Sequence, residues 1–245
     1  MSALAVRPDG RLEADRYARG IRVVGVDEVG RGCLAGHVVV AAVQLPDSYF
    51  SERERWWAEV TDSKLLSPVK RADLAVRITA CARVEIVWET PAEIDRINIL
   101  QASLQAMRTA LRPFSGIAQS VLVDGHLNPY ASRLADPMEP HRLGFTEVLP
   151  LVKGDQKSVA IAAASIVAKV ARDNAMVEMA RQYPGYGFEV HKGYPTPMHK
   201  KALAALGMTP EHRRSFCSKG GPWKENLPAA EQQKAGKLKS AAPST

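Results

Sequence analysis

Ile21-Arg22-Val23-Val24-Gly25-Val26-Asp27-Glu28-Val29-Gly30-Arg31-Gly32 sets two adjacent carboxylates inside an apolar run that ends in a glycine-flanked arginine. Ile21 to Val29 reads as a strand. A second strand, Val38 to Leu45, follows soon after and is closed by Pro46. A parallel crossover needs a dozen residues or more, so these two strands should form a hairpin.

Working outward, Arg83 to Trp88 reads as a third strand, stopped by Thr90-Pro91. From Ala92 to Leu111 the residues Ile94, Ile97, Leu100, Leu104, Met107 and Leu111 recur at helical spacing, and Pro113 ends the run. Val121 to Gly125 and Thr146 to Val152 are further strands. An Ala-rich helix fits Ser158 to Gln182, and another fits Pro197 to Leu206 with Gly207 as its cap. The order is three strands, helix, two strands, helix, with antiparallel pairing early and parallel crossovers later. That describes an α/β protein: a mixed five-stranded sheet flanked by helices, with a helical C-terminal extension. Several folds satisfy it. We expect an N-terminal extension over 1–20, a catalytic domain over 21–218, and a disordered basic tail over 219–245.

The 245 residues carry a formal net charge of +7, with 46% hydrophobic and 24% charged residues, as in ordinary globular proteins. No apolar run approaches the roughly 20 residues a bilayer span requires. The first 20 residues mix Arg, Asp and Glu and do not read as a secretory signal. Cys33, Cys81 and Cys217 are scattered, which suits a reducing cytoplasm and gives no zinc cluster. Residues 212–245 hold Arg213, Arg214, Lys219, Lys224, Lys234, Lys237 and Lys239 against Glu225 and Glu231. This concentration of charge invites a polyanion, though a solvated tail explains it equally well.

Carboxylates punctuate the apolar segments: Asp27 and Glu28 within one strand, Asp124 ending another, Asp155 between a strand and a helix. Alone, Asp155 reads as a helix cap and Asp124 as a turn residue. Together they suggest a site at one edge of an open sheet. Gathered carboxylates repel one another unless a cation joins them, and hard oxygen ligands suit Mg²⁺ or Mn²⁺. A pair of such ions suits displacement at phosphorus. One difficulty is geometric. Neighbours on a strand point to opposite faces, so either the strand kinks near Gly30 or Glu28 reaches around its edge.

The blocks Gly25-Val26-Asp27-Glu28-Val29-Gly30-Arg31-Gly32, Asp62-Ser63-Lys64-Leu65-Leu66-Ser67, Val123-Asp124-Gly125 and Val152-Lys153-Gly154-Asp155 occur in this order. Ala163 to Asp173, His191-Lys192-Gly193-Tyr194-Pro195-Thr196 and His212-Arg213-Arg214-Ser215-Phe216 follow. The set resembles bacterial ribonuclease HII over residues 21 to 217. The resemblance implies a ribonuclease H-like fold and an endonuclease that cuts RNA–DNA hybrids and single ribonucleotides embedded in duplex DNA. It implies 3′-hydroxyl and 5′-phosphate products, and a role in removing ribonucleotides from DNA. Asp27, Glu28, Asp124 and Asp155 match the family's metal-binding carboxylates, for two Mn²⁺ or Mg²⁺ ions. Gly30, Arg31 and Gly32 match the loop that contacts the 2′-hydroxyl. Tyr194 matches the tyrosine that stacks at the junction with the next deoxynucleotide. We expect a cytoplasmic monomer.

Glycines beside Arg31 let backbone approach a sugar closely, and backbone aimed at a 2′-hydroxyl distinguishes RNA from DNA. Lys64, Lys169 and Arg172 are candidates for phosphate contacts, although Lys169 and Asp173 also have the spacing of a helical ion pair. Trp56 and Trp57 read as core packing ahead of base stacking, and His191 and His199 as surface or structural groups. The sequence departs from the family at Cys33 and His37, where prolines are common, and at Leu65, where a second lysine is common. The related ribonuclease HIII type carries an added N-terminal domain; the short segment before the first strand favours HII. A ribonuclease H-like DNA nuclease or recombinase, or a non-catalytic nucleic-acid binder, is the alternative.

Overall fold

The computed structural model describes residues 7–51 and 55–217. The expected tail over 219–245 lies outside the described residues. Two compact units are present. One is the chain up to Arg31 with His37–Asn174; the other is Gly32–Gly36 with the chain from Ala175.

The first unit is built on a five-stranded sheet: β1 (Val23–Val29), β2 (Val38–Gln44), β3 (Arg83–Glu89), β4 (Ser120–Asp124) and β5 (Glu147–Leu151), in the order β3-β2-β1-β4-β5. The expected hairpin is there: β1 runs antiparallel to β2, and β2 to β3. β1–β4 and β4–β5 are parallel. Val26 pairs with Val123, so Asp27 and Asp124 are the next residues along two neighbouring strands. Around the sheet lie α1 (Arg11–Tyr17), α2 (Ser48–Ser51), α3 (Pro68–Cys81), α4 (Pro91–Ile97), α5 (Ile99–Leu111), α6 (Glu139–Arg142) and the first part of α7 (Val159–Gln182).

Two features depart from the sequence reading. Helix α3 intervenes between β2 and β3, started by Pro68 and by the Ser67 hydroxyl, which accepts from the Lys70 N–H at 3.3 Å. The single helix expected over 92–111 is two helices. Asn98 adopts φ +70° and breaks the run, while its side-chain oxygen caps α5 by accepting from the Gln101 N–H at 3.1 Å. Asparagine is among the residues that reach positive φ at least cost.

Strand alternation divides the core into two layers. Val23, Val39, Ala41, Val43 and Leu122 pack with Leu74 and Ile78 of α3 and with Val159 to Ala168 of α7. Val24, Val26, Val40, Ala42, Val121 and Val123 pack with Leu104, Met107 and Leu111 of α5. Asp27 therefore shares the α7 face and Glu28 the α5 face. A Cβ on Gly25 would fall 2.3 Å from the Ala160 carbonyl carbon, so glycine is what lets α7 lie this close to β1. Trp56 and Trp57 stack at 4.2 Å and are buried in the α7-side core, as packing residues.

Helix α1 lies in the segment expected as an extension. Its Glu13 is fully buried and accepts from the Ser158 hydroxyl at 2.5 Å and the Ala160 N–H at 3.1 Å, at the N-terminus of α7. The positive end of the helix dipole favours a carboxylate there.

The second unit holds the end of α7, then α8 (Phe188–His191), α9 (Pro197–Leu206) and α10 (Arg214–Cys217). Its core includes Met176, Met179, Tyr186, Phe188, Leu203 and Cys217. The Gly207 N–H closes α9 on the Leu203 carbonyl at 2.9 Å. Among the described residues, no helix is long and apolar enough to cross a membrane.

Candidate active site

The first unit brings together the four carboxylates singled out in the sequence. Asp27 is buried on the α7 face, hydrogen-bonded by Ser165 of α7 and by the Glu28 N–H, which donates to Asp27 Oδ1 at 2.7 Å. Burial, and then the charges of Glu28 and Asp124, push the Asp27 carboxyl well above the usual carboxylate range. Glu28 lies across the sheet. Burial raises it too and Asp124 adds to the effect, while Arg31, 3.0 Å away, draws it back down. Glu28, Arg31, Asp124, Leu104 and Met107 line a cavity of about 190 Å³ on the α5 face. Regular pairing with β2 runs through Asp27 and Glu28 to Val29, and Asp124, ending the adjacent strand, interacts electrostatically with both acids.

Beyond β5, Lys153 adopts φ +55° and leads into a short 3-10 turn, Gly154–Gln156. The Gly154 N–H donates to Asp124 Oδ1 at 2.7 Å. The next residue, Asp155, is buried, and its carboxyl is raised to about 6 by burial and by the charges of Asp62 and Asp124.

Asp62, Ser63 and Ser165 are site residues that the sequence does not single out. Asp62 lies close enough to Asp155 that its charge and a side-chain hydrogen bond help raise the Asp155 carboxyl. Its Oδ1 also accepts from the Lys64 N–H at 2.9 Å. The Ser63 hydroxyl meets Ser165 at 2.9 Å, which connects this segment to Asp27. Arg71 holds the segment from below, donating to the Ser63 and Leu66 carbonyls at 2.7 and 2.8 Å. The Asp62-Ser63-Lys64 block is the available signal, but Asp62 lies outside any apolar run and so does not stand out as the other four carboxylates do.

The expected phosphate ligands occupy different surroundings. The Lys64 side chain is exposed; partial burial lowers its ammonium, yet Asp62, Asp155, Asp27 and Asp124 together hold it above its ordinary value. Lys169 forms the helical ion pair with Asp173 at 2.7 Å. Arg172 is buried and donates to the His37 carbonyl at 2.9 Å. Its Nε lies 2.2 Å from where a Cβ on Gly30 would stand, and Gly30 has φ +92°. Arg172 therefore props the turn that presents Arg31. Gly32 and Tyr194 belong to the second unit, where Tyr194 is 38% exposed. His191 and His199 are both buried and hydrogen-bonded, hence structural.

Among the described residues, no three His, Cys, Asp or Glu side chains are grouped closely enough to hold one metal ion. The chemistry of the donor set nonetheless fits a hard divalent cation. It is all oxygen, and burial with mutual repulsion disfavours its charged form until a counter-charge is supplied.

A five-stranded sheet with this order, two helical layers and acids along neighbouring strand ends defines a ribonuclease H-like α/β protein. A family model described as Ribonuclease HII matches residues 24–219. Ribonuclease HII of Ruegeria pomeroyi is 46% identical over 211 residues, spanning 86% of this chain and 82% of that protein. The structure of the PCNA:RNase HII complex from Archaeoglobus fulgidus aligns with TM-score 0.67 and 25% identity, over 84% of this chain and 98% of that one. Bst-RNase HIII in complex with Mn²⁺ aligns with TM-score 0.54 and 19% identity, over 84% and 76%, a likeness of fold alone. The chain belongs to the ribonuclease HII family. It is a metal-dependent phosphodiester hydrolase, an endonuclease of ribonuclease H type acting on nucleic acid.

Proposed function

We propose that the protein cleaves the RNA strand of RNA–DNA hybrids and single ribonucleotides within duplex DNA, leaving 3′-hydroxyl and 5′-phosphate ends. The observation that carries this reading is Asp124 on the strand beside Asp27, its charge acting on Asp27, Glu28 and Asp155, with the Asp155 turn tied to it through Gly154. Asp27, Glu28, Asp124 and Asp155 are the ligands we assign to two Mg²⁺ or Mn²⁺ ions. Bound there, such ions would activate water and stabilise the leaving oxygen.

The remaining roles belong to the chain itself. The Gly30-Arg31-Gly32 backbone approaches the ribose and reads its 2′-hydroxyl. Loss of that hydroxyl leaves a polar group unpaired, at a cost of about 1–3 kcal/mol. Lys64 faces the phosphate from beside the acids, and Tyr194 stacks at the ribose–deoxyribose junction. Arg172 acts through the Gly30 turn, and Lys169 through Asp173. The scattered spacing of Cys33, Cys81 and Cys217 suits the reducing cytoplasm in which we place a monomeric enzyme that removes ribonucleotides from DNA.

The deciding assay uses duplexes with zero, one and four ribonucleotides, with Mg²⁺ or Mn²⁺ and with EDTA. The last two should be cut only with metal, and the all-DNA duplex left whole. An intact single-ribonucleotide duplex would end the proposal, and comparable cutting of all-DNA would favour the DNA-nuclease alternative.

A further inference from the structure

The second unit buries three histidines, His191, His199 and His212, around Tyr186 and Phe188. Their hydrogen bonds fix where each proton sits. The Thr209 N–H donates to His212 Nδ1 at 2.9 Å, so that nitrogen is an acceptor and the His212 proton is on Nε2. This Nε2–H meets His199 Nε2 at 3.1 Å, so the latter must accept and the His199 proton is on Nδ1. His199 Nδ1–H in turn donates to the Tyr194 carbonyl at 3.0 Å. Protons therefore run in one direction, from His212 through His199 to the Tyr194 peptide. Both rings are neutral: burial pulls His199 down to about 4 and His212 down to about 3.

The far end of this chain is anchored to the segment that follows Arg31. On one side of His212, the Glu211 carbonyl accepts from the Gly36 N–H at 2.9 Å. On the other, the Arg213 N–H donates to Leu34 O at 2.8 Å, and its guanidinium donates twice to Gly36 O at 3.0 and 2.8 Å. The Leu34 N–H donates directly to the Gly193 carbonyl at 2.8 Å. His191 completes the frame. Its Nδ1 accepts from the Gly193 N–H at 3.1 Å, its carbonyl accepts from the Tyr194 N–H at 2.9 Å, and its ring stacks on His199 at 4.3 Å.

We infer that His199 and His212 are positioning residues for ribonucleotide recognition: their hydrogen-bond chain holds the Tyr194 peptide at a set distance from the Gly32–Gly36 segment. This rests on the reading of Tyr194 as the junction-stacking residue. The two imidazoles act through Tyr194 and touch no substrate.

A double-mutant cycle on the single-ribonucleotide duplex tests it, using full-length protein whose folding is confirmed by circular dichroism and thermal melting. His199→Leu should lower kcat/KM about tenfold. His199→Asn, which keeps a donor near the Nδ1 position, should recover most of that loss. In the Tyr194→Ala background His199→Leu should cost nothing more. Should His199→Leu fail to fold, His212→Met against His212→Gln makes the same comparison, because Gln retains the donor toward His199. Equal losses with and without Tyr194 would overturn the inference and leave the function standing. If Tyr194→Ala alone had no effect, the inference and the assignment of Tyr194 would fall together.

Discussion

The Gly154 N–H donates to Asp124 Oδ1 at 2.7 Å, joining the acid that ends β4 to the turn that carries Asp155. An asparagine at 124 can offer the same carbonyl oxygen to Gly154, so Asp124→Asn should fold normally. It removes one negative charge from beside Asp27, Glu28 and Asp155. Cleavage should fall by at least about 10³-fold, the scale seen when a transition-state-stabilising group is removed. Stability in EDTA should rise by about 0.5–1 kcal/mol as repulsion is relieved. Single-turnover cleavage and urea unfolding measure the two effects, and near-native cleavage would remove Asp124 from the ligand set.

Glu13 makes a separate demand on the fold. Glu13→Ala strips the acceptor from the Ser158 hydroxyl and the Ala160 N–H, and removes a carboxylate from the α7 N-terminus. The expected loss is about 2–3 kcal/mol, from unpaired donors and the missing dipole interaction. Glu13→Gln keeps an acceptor and should lose less than about 1 kcal/mol. Urea titration distinguishes them; equal losses would mean that packing volume, not hydrogen bonding, is what α1 contributes.

Glu13 also shows where sequence reading stops. The strands are legible because their alternation is apolar and they end in Pro, Gly or Asp, and the carboxylates stand out because apolar runs surround them. Glu13 sits in a charged stretch, and only the three-dimensional course of the chain brings it to Ser158, 145 residues away. Asp62 is similar: its segment carries no strand alternation, and its closeness to Asp155 is a tertiary fact. Helix α3 escapes a reading by periodicity although Ser67-Pro68 is a strong start signal, since its apolar face is narrow. Asn98 is equally hard to see because neighbouring apolar residues keep helical spacing across it, and its positive φ leaves no periodic trace. The opposition of Asp27 and Glu28 across the strand is predictable; that Asp124 interacts with both requires the β1–β4 register.

Charge beyond residue 218 should affect binding and spare chemistry. Deleting 219–245 removes Lys219, Lys224, Lys234, Lys237 and Lys239 with Glu225 and Glu231. Duplex affinity should fall and its salt dependence flatten, by about 0.9 log unit for each phosphate no longer neutralised. Binding titrations across salt concentration, paired with saturating-substrate rates, separate the effects. Loss of cleavage at saturation would place part of the active machinery in that segment.

Asp155 predicts how the metal-free enzyme responds to pH. Its carboxyl is held at about 6 against an ordinary 3.8, so the folded state keeps the proton more tightly than the unfolded chain. The resulting stability is present at low pH and is lost as pH rises through about 6. The raised Asp27 and Glu28 act in the same sense. In EDTA, the wild type should therefore lose stability relative to Asp155→Asn between about pH 5 and 7.5, by roughly 0.5–1 kcal/mol after solvent screening. Divalent metal should reverse the trend, because its ligands must be deprotonated and its affinity grows as pH rises. Urea unfolding of both proteins at the two pH values, with EDTA and with Mg²⁺, reads the difference directly. A pH-independent difference in EDTA would show that Asp155 is not strained by its neighbours, and would remove the electrostatic reason for a cation there.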